Sequence, residues 1–213
     1  MSHAFTPIVF VIDGDVSVRE SLGLLIRAAG WQAETFASAF EFLVRPRPMV
    51  PSCLILDVAP PDLNGLELQA RIAAERRDLP IIFLSGSCDV STTVKAMKGG
   101  ALEFMMKPFD SDVLLSAIRN AIKHSEAALG RERQMHMLRV DYGSLTPRER
   151  EVMTLVVSGL LNKQVGGELG ISEITVKAHR GNVMRKMRAN SFADLVNMAT
   201  RLRLSRSLAM SAA

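Results

Sequence analysis

Short apolar runs alternate with amphipathic segments along the first 123 residues. The run at 7–13 (PIVFVID) has the length and β-branched content of a buried strand, whereas Ser17–Ala29 places its apolar residues at helical spacing. The same two patterns predict strands at 7–13, 32–35, 52–57, 80–85 and 101–108, and helices at 17–29, 37–43, 65–75, 90–98 and 112–124. Continuous apolar strands between amphipathic helices are typical of a parallel sheet covered on both faces, so the first domain is predicted to be α/β.

The last part of the chain shows helical patterns only. Residues 146–149 (TPRE) form a capping box with proline at the first helical position, which predicts the start of a helix. The other boundaries follow from cap residues and spacing: Asn162 is predicted to cap a second helix, Gly170 to end it, Ser172 to cap a third that runs to about Arg188, and a fourth is predicted at 192–202. Helices two and three, joined across residues 169–171, are predicted to form a helix-turn-helix in an all-α domain.

A polar, helix-forming segment at 125–143 separates the two patterns. We predict a helical linker that extends the last helix of the first domain, although Gly130 could bend it, and a disordered tether is the alternative. The chain is therefore divided into a domain at 1–124, a linker at 125–143 and a second domain at 144–205.

Composition excludes several classes of protein. The chain has 213 residues, of which 48% are hydrophobic and 23% charged, enough apolar side chains for a packed core. Apolar runs stay far below the roughly 18–20 residues of a membrane span, and the N-terminus lacks the basic start of a signal peptide. Cys53 and Cys88 sit in or beside apolar runs, which argues against a disulfide framework or a zinc site. We expect a cytoplasmic protein that does not contact membranes.

Charge is distributed unevenly between the two domains. The chain carries a net charge of +4, yet residues 1–123 hold 12 Lys/Arg against 14 Asp/Glu. The remaining residues hold 14 Lys/Arg against 8 Asp/Glu, so the second domain is basic and nucleic acid is its expected partner.

Polar side chains follow four of the five predicted strands at their carboxyl ends. They are Asp13 and Asp15 after the first strand, Asp57 after the third, Ser85 after the fourth and Lys107 after the fifth. In an open parallel sheet these ends meet at the crevice where ligands bind. Carboxylates that converge on one point favour binding of a cation such as Mg²⁺. A carboxylate can also attack a phosphoryl group, while a lysine and a hydroxyl hold the phosphoryl oxygens. The pattern therefore predicts a phosphoryl-accepting site.

Together these motifs resemble two-component response regulators of the FixJ/NarL type. The motifs are the acids near 13–15, LILD ending at Asp57, FLSG with Ser85, EFMMKPF with Lys107, LTPREREV, and NKQVGGELGISEITVKAHRGNVMRKM. The resemblance spans about 9–121 and 145–202. It implies a flavodoxin-like (βα)5 receiver domain and a LuxR-type helix-turn-helix domain.

The resemblance also implies roles for individual residues. Asp57 accepts a phosphoryl group from a partner histidine kinase, Ser85 and Lys107 sense it, and Phe104 occupies the aromatic switch position while also serving as a core residue. Mg²⁺ would be held by Asp13, Asp57 and the Ala59 carbonyl.

Two positions depart from the family pattern. Gly14 stands where the family usually has a second acid, and Pro60 lies in a stiffened double-proline segment after Asp57. Loss of one charged ligand is expected to weaken the metal site. Asp15 could replace that ligand, or it could cap the following helix; the cap is favoured.

The third helix of the second domain carries a basic face opposite its apolar residues. Lys177 and Arg180 are predicted to reach base edges in the major groove, and Gly181 to allow close approach. Phosphate contacts are predicted for the polar residues around them, namely Asn162, Lys163, Thr175 and Arg185. The alternative is a solvated helix face.

These features predict a transcription regulator rather than an enzyme. Its expected partners are double-stranded promoter DNA, a sensor histidine kinase, RNA polymerase and, in the active state, a second copy of the chain. The alternative is an atypical receiver that dimerises or binds a partner without phosphorylation. A flavin enzyme is disfavoured, because the first βα turn (DGDVS) would repel a nucleotide phosphate.

Overall fold

A five-stranded parallel sheet forms the centre of the first of two compact units, which end and begin at Arg131 and Glu132. The structure, a computed structural model, describes residues 6–87 and 89–204, so Cys88 and residue 205 of the predicted second domain lie outside the described residues. The strands are β1 Ile8–Ile12, β2 Gln32–Phe36, β3 Ser52–Asp57, β4 Ile81–Ser85 and β5 Glu103–Met106. The helices of this unit are α1 Val16–Ala28, α2 Ala39–Leu43, α3 Gly65–Glu75, α4 Val90–Lys98 and the first part of α5 Ser111–Gly143.

The strand order β2-β1-β3-β4-β5 places the reversal of strand order between β1 and β3. Ile12 lies beside Leu56 in the parallel register, so Asp13, directly after β1, and Asp57, the last residue of β3, lie at neighbouring strand ends. This is the crevice position at which open α/β sheets bind ligands.

Alternate residues of the central strands enter two separate apolar cores. Phe10 packs on one face of the sheet with residues of α2 and α3, whereas Val9 and Val11 pack on the other face with α1 and α5. Because both faces are covered, the central strands are continuously apolar, as predicted.

The predicted fifth strand was too long at both ends. The Ala101 N–H donates to the Ala96 carbonyl and closes the end of α4, so it is unavailable to the sheet. At the other end, Pro108 has no N–H to donate.

The helical linker is the second half of α5, which runs without interruption through Gly130. Of the residues that the structure describes, none belongs to a helix long and apolar enough to cross a membrane.

The second unit consists of the end of α5 and four further helices, α6 Pro147–Val157, α7 Asn162–Leu169, α8 Glu173–Lys186 and α9 Phe192–Leu202. Val176 and Val183 of α8, and Met187 at its C-cap, lie in the apolar core of this unit. The capping box at Thr146 is present, Ser172 caps α8, and Gly170 ends α7 in the left-handed region at φ 64°.

The predicted cap of α7 was wrong by one residue. Leu161 is the N-cap, and its N–H donates to the Gln164 side chain at 2.8 Å. Asn162 is the first helical residue, so its side chain is available for a contact elsewhere.

Candidate phosphoryl-accepting site and nucleic-acid interface

One lysine joins the two carboxylates at the carboxyl edge of the sheet. Lys107 Nζ lies 2.6 Å from Asp13 Oδ2 and 3.0 Å from Asp57 Oδ1. Asp13 is buried, and the side chains of Asp57 and Lys107 are 16% and 24% exposed. Lys107 lies 94 residues from Asp13 along the chain, so the fold of the sheet brings the two side chains together.

The Lys107 ammonium group offsets the repulsion between the two carboxylates. Partial burial would lower the pKa of Lys107, but the hydrogen bonds and charges of Asp13 and Asp57 outweigh burial and raise the pKa above its ordinary value. The lysine is therefore charged at neutral pH and available to pair with an added phosphoryl group.

Backbone groups hold the remaining oxygens of both carboxylates. The Asp15 N–H donates to Asp13 Oδ1 at 2.9 Å, and the Ala59 N–H donates to Asp57 Oδ2 at 3.1 Å. Arg19 on α1, which the sequence patterns did not single out, donates to the Asp13 carbonyl at 2.7 Å and the Gly14 carbonyl at 3.0 Å. It braces the loop that presents Asp13.

Asp15 caps α1 in the structure. Its side chain accepts from the Ser17 N–H at 2.8 Å and the Val18 N–H at 3.4 Å. Within residues 6–87 and 89–204, no three His, Cys, Asp or Glu side chains form a group that could hold a metal ion. Asp13 and Asp57 still offer the hard oxygen donors that Mg²⁺ prefers, so the donor set fits a magnesium site with two carboxylates and the rest of the shell from carbonyl and water.

Glycine at position 14 is not required by packing. A Cβ atom there would lie 3.5 Å from the Pro61 ring, which is an ordinary contact. Gly65 is different, because a Cβ atom would lie 2.8 Å from the carbonyl oxygen of Asp57. Gly65 therefore allows α3 to start directly against the strand that carries Asp57, a requirement that the sequence signals only through the preceding helix cap Asn64.

Ser85 and Phe104, the other two residues assigned to sensing, occupy different environments. The Ser85 hydroxyl donates to the Ser87 carbonyl at 2.8 Å and accepts from the Ser87 N–H at 3.2 Å, so it bonds within its own loop. Phe104 is half-buried, with its ring centroid 6.1 Å from that of Phe83.

An exposed face runs along α8 opposite its core residues. Lys177, with a side chain 63% exposed, pairs with Glu173 at 3.3 Å, and Gly181 has open space where a side chain would be. Ala178 is exposed beside them; the sequence patterns did not single it out, although a small residue on a basic face indicates room for close approach. Thr175 bonds with the Ser172 hydroxyl at 2.8 Å, and Arg185 donates to Asn182 at 3.3 Å.

Arg180 is held within the second unit. Its Nη1 donates to Asn162 Oδ1 at 2.7 Å, and its guanidinium carbon lies 5.2 Å from the Phe192 ring centroid. This contact joins α7, α8 and α9. Lys163, next to Asn162, is exposed.

Comparisons with known proteins cover both units. A model of the response regulator receiver domain matches residues 9–119, and a model of bacterial regulatory proteins of the luxR family matches residues 143–199. Nodulation protein W of Bradyrhizobium diazoefficiens is 46% identical over 93% of this chain and 87% of its own length. Transcriptional regulatory protein FixJ of the same organism is 39% identical over 91% of this chain and 94% of its own length.

Two solved structures of response regulators are also similar to this chain. The structure of response regulator StyR matches with a TM-score of 0.80 and 44% identity, over 92% of this chain and 100% of that one. Full-length FixJ from B. japonicum matches with a TM-score of 0.53 and 38% identity, over 92% and 97%.

Proposed function

Because the chain belongs to the response regulators that join a receiver domain to a LuxR-type DNA-binding domain, and so regulates transcription in a two-component system, we propose that Asp57 is the phosphoacceptor that controls its output. The observation that carries this proposal is the bond from Lys107 Nζ to Asp57 Oδ1, with Asp13 as the second acceptor. A phosphoryl group on Asp57 would be formed within reach of a charged lysine.

The reaction is a transfer from a phosphohistidine of the partner kinase. A carboxylate oxygen of Asp57 attacks phosphorus, a P–O bond forms, and the P–N bond breaks with its electron pair returning to the imidazole nitrogen. Mg²⁺, held by Asp13, Asp57 and the Ala59 carbonyl, would neutralise charge on the phosphoryl oxygens when bound. Since Gly14 contributes no carboxylate, this ion would be bound weakly.

Phosphorylation would shift the receiver between two conformations. Lys107 would exchange an aspartate oxygen for a phosphoryl oxygen. The Ser85 hydroxyl would leave the Ser87 carbonyl and donate to a second phosphoryl oxygen. The ring of Phe104, now 6.1 Å from that of Phe83, would then reorient. The element with two conformations would be the loop that carries Ser85. Both hydrogen bonds of the Ser85 hydroxyl are to Ser87 in the same loop, so a phosphoryl oxygen could replace that partner.

The exposed face of α8 would enter the DNA major groove. We propose that Lys177, Ala178 and Gly181 approach base edges, and that Lys163, Thr175 and Arg185 contact phosphates. Arg180, which the sequence assigned to base reading, donates to Asn162, so we propose that it acts by holding Asn162 for a phosphate contact.

The active form would be a cytoplasmic homodimer that recruits RNA polymerase at promoter DNA. In α9, Leu195 is a core residue, whereas Phe192 and Val196 are partly exposed and could contribute to a dimer surface. A second candidate is output that does not depend on phosphorylation, and Gly14 favours it because the magnesium site has one carboxylate fewer than the family pattern.

Intact-mass spectrometry decides between the two. The full chain is incubated with acetyl phosphate, with and without Mg²⁺, beside an Asp57→Asn variant. We expect one phosphoryl group to be added only to the unaltered chain and only with Mg²⁺. A folded, DNA-binding chain that takes up no phosphoryl group from acetyl phosphate or from a kinase would instead support the second candidate.

A further inference from the structure

An arginine-lined cavity lies at the edge of the sheet opposite Asp57. It has a volume of about 210 Å³, and its charged lining residues are Arg45, Arg47, Arg71, Arg76 and Glu75. Two of these arginines precede β3 and one precedes β4, so the cavity lies at the amino ends of strands whose carboxyl ends carry the candidate phosphoacceptor site. No part of the proposed function uses it.

Two of the four arginines have carboxylate partners. Arg45 pairs with Glu34 through two nitrogens, and Arg47 pairs with the buried Asp78 at 3.0 Å. These pairs hold the two guanidinium groups at the wall of the cavity.

The other two arginines lack such partners within the described part of the chain. Arg76 is half-buried, and its Nε and Nη2 atoms are fully buried without a hydrogen-bond acceptor. Its guanidinium carbon lies 5.8 Å and 5.7 Å from the ring centroids of Phe10 and Phe42, and the more distant carboxylate of Asp78 partly offsets its charge. Arg71 is exposed at the rim and forms no ion pair among these residues.

The cluster therefore has an excess of positive charge. Four guanidinium groups face the carboxylates of Glu34, Asp78 and Glu75, and Glu75 forms no ion pair with them. Burial lowers the pKa of Arg76, and the charges of Arg47 and Arg45 lower it further, although Asp78 opposes them. A partly buried cation without a carboxylate partner is costly, and an anion bound in the cavity would offset its charge.

We propose that this cavity binds a phosphate group of a small ligand, with Arg76 and Arg71 as its principal donors. Guanidinium groups bind phosphate through paired hydrogen bonds, and several arginines on one wall favour an anion with several oxygens. At about 210 Å³ the cavity is smaller than most ligand pockets, so it fits a phosphate or pyrophosphate group but not a whole nucleotide. The ligand is either a free inorganic anion or the terminal phosphate of a larger molecule that extends past Arg71.

Isothermal titration calorimetry of the full chain tests the proposal. The protein carries Asp57→Asn, so that binding is measured independently of phosphorylation, and it is titrated with inorganic phosphate, pyrophosphate and ADP at constant ionic strength. We expect saturable binding of at least one probe. Tighter binding of pyrophosphate than of ADP would identify a free anion, and the reverse order would identify a nucleotide-like ligand.

Three variants locate the site. Arg76→Lys keeps the charge but replaces the guanidinium group that lines the cavity, and Arg71→Ala removes a rim donor without disturbing the core; each is expected to weaken binding about tenfold. Arg119→Ala, an exposed arginine on α5 away from the cavity, is the matched control and is expected to bind normally. Absence of saturable binding by all three probes, or equal binding by Arg71→Ala and Arg119→Ala, would overturn the proposal.

Discussion

Lys107 contacts Asp13 and Asp57 through single pairs of atoms at the carboxyl edge of the sheet. The sequence predicted that these residues would meet, because parallel strands present their carboxyl ends at one edge. It did not predict that Lys107 would contact both carboxylates, since side-chain hydrogen bonds depend on distances that topology leaves open. Ser85 shows the same limit: its position follows from β4, but its bond to Ser87 does not.

Gly14→Asp is expected to strengthen magnesium binding. A side chain fits at this position, and a third carboxylate beside Asp13 and Asp57 increases the attraction for a divalent cation. We predict affinity for Mg²⁺ higher by about tenfold or more, measured by calorimetric titration of the unphosphorylated chain. Gly14→Asn, similar in size but uncharged, is the control. Equal affinities of the two variants would show that the acid at this position does not reach the metal.

Arg180 and Asn162 are expected to act as one unit in DNA binding. If Arg180 holds Asn162 against the backbone of DNA, removing either residue removes the same contact. In a double-mutant cycle of Arg180→Met and Asn162→Ala, the changes in binding free energy should fail to add by about 0.5–3 kcal/mol. Lys177→Ala with Asn162→Ala is the control pair and should add within about 0.5 kcal/mol. Additive changes for Arg180 and Asn162 would favour direct base reading by Arg180.

Among the elements, those covered on both faces were the most predictable. The continuous apolar runs of β1, β3 and β4 follow directly from burial against helices on either side. Helix ends marked by a cap, such as Thr146 and Ser172, were also predicted correctly. The start of α7 was not, because Leu161 has no capping side chain and relies on Gln164 instead.

Glu149, in the first turn of α6, is expected to make the stability of the second unit depend on pH. Burial would raise the pKa of Glu149, but hydrogen bonds from Lys186 and the Thr146 N–H, with the Lys186 charge, outweigh it and lower the pKa below its ordinary value. The ionised carboxylate therefore stabilises the fold above the ordinary glutamate range, and this contribution is lost as the pH falls through the folded-state pKa.

Glu149→Gln tests this expectation. At neutral pH we predict a loss of roughly 1–3 kcal/mol in the free energy of unfolding of the second unit, because the buried carboxylate that pairs with Lys186 is removed. The loss should shrink as the pH is lowered, since the unaltered protein then loses the same contribution. The chain has one Tyr and one Trp, so Tyr142 reports unfolding of the second unit and Trp31 that of the first. A loss that is independent of pH would contradict the charged pair.

Over the whole molecule, two sites of opposite charge lie in separate units of one chain. The first unit carries the paired carboxylates and the second carries the basic face of α8, and α5 contributes residues to both. The sequence predicted the division into an acidic α/β domain and a basic all-α domain, because the net charge and the spacing of apolar residues both change along the chain. The arginine cavity was not, since its members come from separated segments and meet only in the folded unit.

Phosphorylation of Asp57 is predicted to raise the affinity of the full chain for DNA. The most direct measurement is fluorescence anisotropy with a labelled duplex that the full chain has selected from a random library, before and after treatment with acetyl phosphate and Mg²⁺. We predict that treatment tightens binding by between about 5- and 150-fold, the usual range of coupling between two sites, and that Asp57→Asn does not respond. Equal affinity before and after complete phosphorylation, or the same gain in Asp57→Asn, would contradict control of output through this residue.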